Sequence, residues 1–453
     1  MKKILFYYWD PIDGPAGGGV TAYLKELFPL LIKSEEYELF YLNSGRKYDE
    51  SGKIYINETN NIFDNAVRSF EIVNCPVLAP SKQSVKNVRF YLEYNDINIL
   101  LEELIENIGG IDIMHFHSLE GLPVKVLEIK DKYPNMKMIF SFHNYFPLCT
   151  QVNMWKNDEK CCDLVKFDSC ISCYDRENYD MALFRFKHLD IPGLKQKNLE
   201  NSAKNPDFED SSLYRVFNEV NRVYFNKYMD AMLAVSERTK EIYISNGYDA
   251  DKMFTSYVGT EVAKHKTPHI SKTGSKNSLR IIYMGYARKD KGFFFFLDAL
   301  ESMDEDLCKR LEVTVVSRGI DEDSMARINM MGHRVNAIHV YNGYKDYDEL
   351  QDILREQDLG VVPVLWEDNL PRVAIEQIAF DVPILSSSLG GAPELFGNNP
   401  AFVFEAGNIH SFENKLENIM NNPYLLEAFW NTVKPLVTME EHVKELQSYY
   451  CGE

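Results

Sequence analysis

Residues 279–292 read LRIIYMGYARKDKG, and the fold follows from how this stretch is parsed. Leu279–Met284 is an apolar, β-branched and aromatic run, the signature of a buried strand. A glycine-led basic turn follows, and Phe293–Phe296 then begin a helical pattern. Strand, glycine-bearing turn and helix in that order open a doubly wound α/β unit. The preceding sixteen residues, 263–278 (AKHKTPHISKTGSKNS), are polar, basic and without apolar periodicity, and they read as an interdomain linker. Arg288 and Lys291, beside a helix N-terminus, are the groups that a diphosphate needs. An exposed basic turn is the plain alternative.

The same alternation continues in both directions. Downstream, strands at 311–317, 337–341, 359–364 and 382–387 alternate with helices at about 292–303, 346–356, 371–380 and 410–420. Upstream, strands at 3–8, 38–42, 71–75, 111–117 (IDIMHFH), 137–143 (KMIFSFH), 231–236 and 253–258 alternate with helices at about 19–33, 96–107, 119–132, 214–229 and 237–246. Continuous apolar strands of this kind belong to parallel sheets covered on both faces. The expected architecture is α/β, with two Rossmann-like doubly wound domains facing across a cleft. The first spans 1–265, with a cysteine-containing insertion at about 150–212. The second spans 266–430, and a C-terminal helix in 431–453 is expected to pack back on the first.

With 453 residues, two or three domains are in range. Lys and Arg number 49 against 68 Asp and Glu, a net charge of −19 that argues against nucleic acid and allows at most weak peripheral membrane contact. No stretch of eighteen apolar residues occurs, and the run Ile4–Trp9 stops at Asp10, too short for a secretory signal. Five of eight cysteines crowd between 149 and 173, which suits a reducing cytoplasm with one local cysteine site.

Other residues suggest chemistry. Gly17, Gly18 and Gly19 follow the first strand and open a helix, where backbone N–H groups can approach an anion; a flexible loop is the alternative. Asp368 lies in a loop before a helix entered through Pro371, and Glu376 lies within that helix; carboxylates there suit sugar or ribose hydroxyls, or serve as caps. His115 and His117 are expected on opposite faces of their strand, as satisfied buried histidines. Asp249-Ala250-Asp251 reads as a turn, and Phe293–Phe296 as core. Cys170 and Cys173 have zinc-knuckle spacing, and Cys149 with Cys161 (or Cys162) could complete four thiolates around a structural zinc; reduced buried thiols are the alternative.

Taken in order, these pieces resemble the family 4 glycosyltransferases, retaining enzymes of the GT-B fold. The matching signposts are Gly18-Gly19-Val20, Asp112 with His115 and His117, His143 in SFHN, Val235-Ser236-Glu237 and Gly259-Thr260-Glu261. They continue with Lys291-Gly292, Asp358, Asp368 to Glu376 and Gly390-Gly391-Ala392-Pro393-Glu394. The resemblance implies a nucleotide-diphosphate sugar donor, most often UDP-linked, and a glycan or lipid-linked acceptor of surface polysaccharide assembly. It also implies catalysis without a metal cofactor. Gly18 and Gly19 would approach the donor diphosphate, and His143 would lie near the donor sugar. Lys291 and Arg288 would neutralise the leaving diphosphate. Asp368 would face the sugar hydroxyls, Glu376 the ribose, and the N–H groups of Asn369 and Leu370 the sugar or phosphate. The expected location is the cytoplasm, with the inner face of the cell membrane open to it for a lipid-linked acceptor.

Two departures stand out. Tyr286 occupies the family's arginine position, leaving Arg288 or Arg318 to supply the charge. Asp368 stands for a glutamate, with Glu367 beside it as a competitor. Alternative functions are a non-catalytic GT-B partner subunit and a sugar-nucleotide epimerase or phosphorylase.

Overall fold

A computed structural model describes residues 1–14, 18–79, 88–156, 159–162, 208–269 and 278–451. The chain divides into two compact units. One takes Met1–Asn157, Cys162–Tyr257 and Glu440–Glu453; the other takes Asp158–Cys161 and Val258–Met439. The C-terminal helix Met439–Cys451 thus lies almost wholly in the first unit, where Val443, Leu446 and Tyr450 are buried.

The first unit is built on β1 (Lys2–Tyr7), β2 (Tyr37–Lys47), β3 (Tyr55–Thr59), β4 (Val67–Val73), β5 (Ile113–Phe116) and β6 (Lys137–Phe142). Two short strands outside the main sheets, β7 (Trp155–Lys156) and β8 (Lys160–Cys161), precede β9 (Ala231–Ala234) and β10 (Met253–Thr255). The sheet order is β10-β9-β6-β5-β1-β2-β4-β3, parallel throughout except for the antiparallel edge strand β3. The second unit carries β11 (Leu279–Met284), β12 (Leu311–Val316), β13 (Ala337–Tyr341), β14 (Leu359–Val362), β15 (Ile384–Ser387) and β16 (Val403–Phe404). Their order, β13-β12-β11-β14-β15-β16, is all parallel and is the 3-2-1-4-5-6 arrangement of the Rossmann fold.

The central strands are apolar because both faces are covered. Ile4 to Tyr7 are fully buried, as are Ile281, Val313, Val361 and Ile384. Helix Phe293–Ser302 turns Phe293, Phe295 and Phe296 into the second core, as expected of the phenylalanine run. Three acids set neighbouring strands in register. Asp112, Asp230 and Asp358 each immediately precede a strand (β5, β9 and β14). Each accepts a backbone N–H from the strand beside it: Lys3 at 2.7 Å, Met138 at 2.7 Å and Arg280 at 3.0 Å. These clips sit at the amino ends of the strands, opposite the edge where ligands bind in such sheets. Asp249 caps the short 3-10 turn Ala250–Lys252 and accepts from the Asp251 N–H.

Candidate functional site

In the second unit, strand order reverses between β11 and β14, which pair with each other. The loops leaving β11 and β14 meet at that point. Gly292 has φ +74° and lies so close to Pro363 that a Cβ would collide with its carbonyl. The Leu365 N–H bonds the Asp290 carbonyl at 2.9 Å, fastening the two loops together. As a result Lys291 Nζ lies 2.6 Å from Asp368 Oδ2 and 4.9 Å from the centre of the Trp366 ring. A lysine and an aspartate 77 positions apart thus form one ion pair at the carboxyl edge of the sheet.

The Gly390-Gly391 turn fixes the Asp368 backbone. Gly390, at φ +73°, faces Asp368 so closely that a side chain would strike the Asp368 carbonyl. The Gly391 N–H donates to that carbonyl at 2.8 Å. Glu367 turns the other way and accepts the Gly390 N–H at 2.9 Å. The two adjacent acids therefore have different partners: Asp368 faces Lys291, and Glu367 holds the glycine turn.

Glu376 is buried on helix Arg372–Ala379, where its Oε1 accepts the Tyr344 hydroxyl at 3.0 Å. Burial, and then the nearby Glu376 carboxylate, raise the Tyr344 phenol well above its ordinary value. Arg318 donates to the Tyr344 carbonyl at 2.9 Å. Arg288 forks onto Asp290, with contacts of 2.9 and 2.5 Å, while its side chain stays about half exposed. Tyr286 points outward, 57% exposed, and its carbonyl accepts the Tyr283 hydroxyl. Of the two arginines considered in place of Tyr286, Arg288 is paired with the Asp290 carboxylate, whereas Arg318 donates to a neutral carbonyl of the Tyr344 loop. Asn369 is buried and Leu370 half-buried, in the loop just before Pro371.

In the first unit the reversal point lies between β1 and β5, which pair with each other. Gly18 and Gly19 begin helix Gly18–Ser34 after β1, with Gly18 at φ +58°; Gly17 lies outside the described residues. At the end of β5 the structure corrects one expectation. His115 and His117 share a face, with ring centres 4.3 Å apart, because residues two apart on a strand project the same way. Both are buried. His115 bonds the Tyr450 and Ser141 hydroxyls at 2.8 and 2.9 Å. His117 Nδ1 lies 2.9 Å from His143 Nε2. His442, from the C-terminal helix, bonds the Tyr23 hydroxyl at 2.8 Å, and the Tyr23 ring also packs on His117 and His143. Burial lowers all four imidazoles, His143 to about 3 and His442 to about 4, so the row is neutral near pH 7.

Cys149, Cys161 and Cys162 are not disulfide-bonded, while Cys170 and Cys173 lie outside the described residues. Among the described residues no cluster of three or more His, Cys, Asp or Glu is placed to hold a metal ion. No described helix is long and apolar enough to cross a membrane. Asp290, Tyr344, Trp366, Tyr23 and His442 were given no role from the sequence. Only Asp290 lay in a stretch singled out there.

The two largely parallel sheets are those of a GT-B fold, and residues 266–434 match the family model described as glycosyl transferases group 1. Among curated proteins, the chain is similar to one named as the teichuronic acid biosynthesis glycosyltransferase TuaC of Bacillus subtilis (strain 168), 22% identical over 173 residues. That similarity takes in 37% of this chain and 41% of the relative. Among solved structures, sucrose-phosphate synthase from Thermosynechococcus elongatus aligns at a TM-score of 0.60 with 13% identity, covering 100% of this chain and 99% of that one. A glycosyltransferase from Rickettsia africae aligns at 0.59 and 15%, covering 100% and 98%. Anabaena HepE, solved with UDP and glucose, aligns at 0.57 and 12%, covering both chains fully.

Proposed function

We propose that this protein transfers a sugar, with retention of anomeric configuration, from a nucleoside diphosphate sugar to a glycan or lipid-linked acceptor. The observation that carries this reading is the Lys291–Asp368 pair at the reversal point of the second sheet, with Glu376 on the next helix. Departure of the diphosphate leaves positive charge on the sugar and negative charge on the leaving group, and fixed positive groups lower that barrier. Lys291 would supply the charge, and the N-terminal end of helix Phe293–Ser302 would add its dipole. In the free protein Asp368 balances Lys291. In this reading the diphosphate takes over as the lysine's partner, and the Asp368 carboxylate turns to the sugar hydroxyls. Glu376, held by Tyr344, accepts from the ribose hydroxyls, which carboxylates recognise through paired hydrogen bonds. HepE, with its bound UDP and glucose, favours UDP as the carrier. Nothing in this chemistry calls for a divalent ion.

Thermal unfolding with UDP, GDP, dTDP, ADP and NAD, with and without EDTA, tests the proposal. A ligand at a hundred times its Kd stabilises by about 2.7 kcal/mol, which raises the midpoint by several degrees. The expected result is a shift for UDP that survives EDTA and is abolished in Lys291→Ala. No shift with any nucleotide would sink it. The exposed Tyr286 favours a second reading, a nucleotide-binding partner subunit; its mark would be UDP-sugar binding with no turnover against any acceptor.

A further inference from the structure

Four histidines lie in one row of the first unit, and only His143 has surface open to solvent. The row is packed from three sides. Phe6 of β1 lies against His115 and His117, Tyr23 of helix Gly18–Ser34 lies against His117, His143 and His442, and the C-terminal helix brings His442 and Tyr450. Glu445 acts electrostatically on Tyr23, beside the row.

The bond between His117 Nδ1 and His143 Nε2 is 2.9 Å long, and only one of the two nitrogens can carry its proton. The other nitrogen of His117 decides which. His117 Nε2 is buried without a hydrogen-bond partner. If His117 accepted at Nδ1, its own proton would sit on Nε2 as a buried, unsatisfied N–H, and orphaned buried N–H groups are the rarer and costlier kind. With the proton on Nδ1, Nε2 is left only as a bare lone pair. His117 is therefore the donor and His143 Nε2 the acceptor. A neutral His143 must then hold its own hydrogen on Nδ1, the nitrogen not used in the row. His115 does not alter this choice, because both of its partners are hydroxyls that can donate or accept.

We infer that His117 is a positioning residue that locks His143 as its Nδ1–H tautomer, so that His143 presents a fixed, neutral N–H to a hydroxyl oxygen of a sugar ligand. This rests on the glycosyltransferase reading for the ligand, but not for the tautomer. It assigns His143 the role of a donor rather than a base. A half-buried imidazole whose pKa desolvation has lowered is poorly suited to take up a proton near neutral pH.

Long-range proton–nitrogen NMR on the ¹⁵N-histidine-labelled protein, without nucleotide, tests the lock directly, with His143 assigned by its loss in His143→Gln. The expected spectrum shows His143 protonated at Nδ1, bare at Nε2 and not titrating between pH 5 and 8. A proton on Nε2, or titration near pH 6.5, overturns the inference. Two variants then test the role. Asn places an amide N–H where His carries Nδ1–H, and Phe places nothing there. Affinities for UDP-glucose and UDP are compared for each. His117→Phe should lose about tenfold of UDP-glucose affinity with UDP affinity unchanged, while His117→Asn stays within about threefold of wild type. Equal UDP-glucose affinity in wild type and His117→Phe would overturn the role. If the wild type bound neither ligand, the glycosyltransferase reading would fall and the tautomer spectrum would still decide the lock.

Discussion

Gly390 and Gly18 both have positive φ, yet substitution should cost very different amounts. At Gly390 an added Cβ runs into the Asp368 carbonyl, so backbone strain is joined by a collision with the residue that faces Lys291. At Gly18 a Cβ meets nothing within 4 Å, and only the strain of a left-handed alanine remains, roughly 1 kcal/mol. Gly390→Ala should destabilise by about 3 kcal/mol or more and abolish the UDP shift. Gly18→Ala should lose about 1 kcal/mol, as read by urea denaturation. Equal losses in the two variants would mean that the Gly390 turn yields and that Asp368 is not held through it. The sequence singled out Gly390, but only as part of a resemblance. The reason for the glycine lies in a backbone 22 residues earlier, and no spacing rule brings Asp368 to it.

At the level of elements, the strands were legible because each central strand is buried on both faces and must be apolar along its length. The antiparallel edge strand β3 escaped notice because it is largely exposed and polar, reading YINET. The candidate strand at 71–75 was displaced, since β4 runs Val67–Val73 and begins at Val67-Arg68-Ser69, where charged and polar residues break the apolar run. For the site the divide is similar. Lys291, Asp368 and Glu376 stood in recognisable order, whereas Tyr344 joins Glu376 and Trp366 joins Lys291 only through contacts between distant elements, as His442 joins Tyr23 in the first unit. One such contact makes its own prediction. His269 Nδ1 and Nε2 each lie 2.7 Å from a carboxylate, Asp381 and Glu427, and its ring stacks on Trp430. Both nitrogens face acceptors, so the arrangement requires the doubly protonated ring. Burial by itself lowers the His269 pKa, but the hydrogen bonds to Glu427 and Asp381 outweigh it and the net change is upward. A raised folded pKa adds stability below the unfolded value of about 6.5, and that stability disappears as pH rises through the folded value. His269→Ala should therefore cost more at pH 6 than at pH 9. The difference should stay under about 1 kcal/mol because the ring is partly solvated. Equal cost at the two pH values would show that stacking on Trp430, not charge, holds the ring.

For the whole molecule, the histidine row sets the acid limit of stability. His115, His117, His143 and His442 are all lowered by burial, so the folded protein keeps them neutral where the unfolded chain would protonate them. A depressed histidine pKa gives stability that is complete above about pH 6.5 and is lost as pH falls from there toward the folded value. Each such histidine adds up to about 1.4 kcal/mol per pH unit to the slope in that window, the largest effect coming when all four differ by a full proton between states. His269 acts in the opposite sense, so maximum stability should fall near neutral pH. Urea midpoints measured at half-unit steps from pH 4.5 to 8 should drop steeply below about 6.5, well before ordinary carboxylates titrate. Replacing His442 by Gln removes one titrating group from the row and should reduce the acid slope by about one proton, whatever it does to stability at pH 8. A flat profile down to pH 5 would mean that the row accepts protons in the folded state. The neutral His143 on which the tautomer argument depends would then be lost with it.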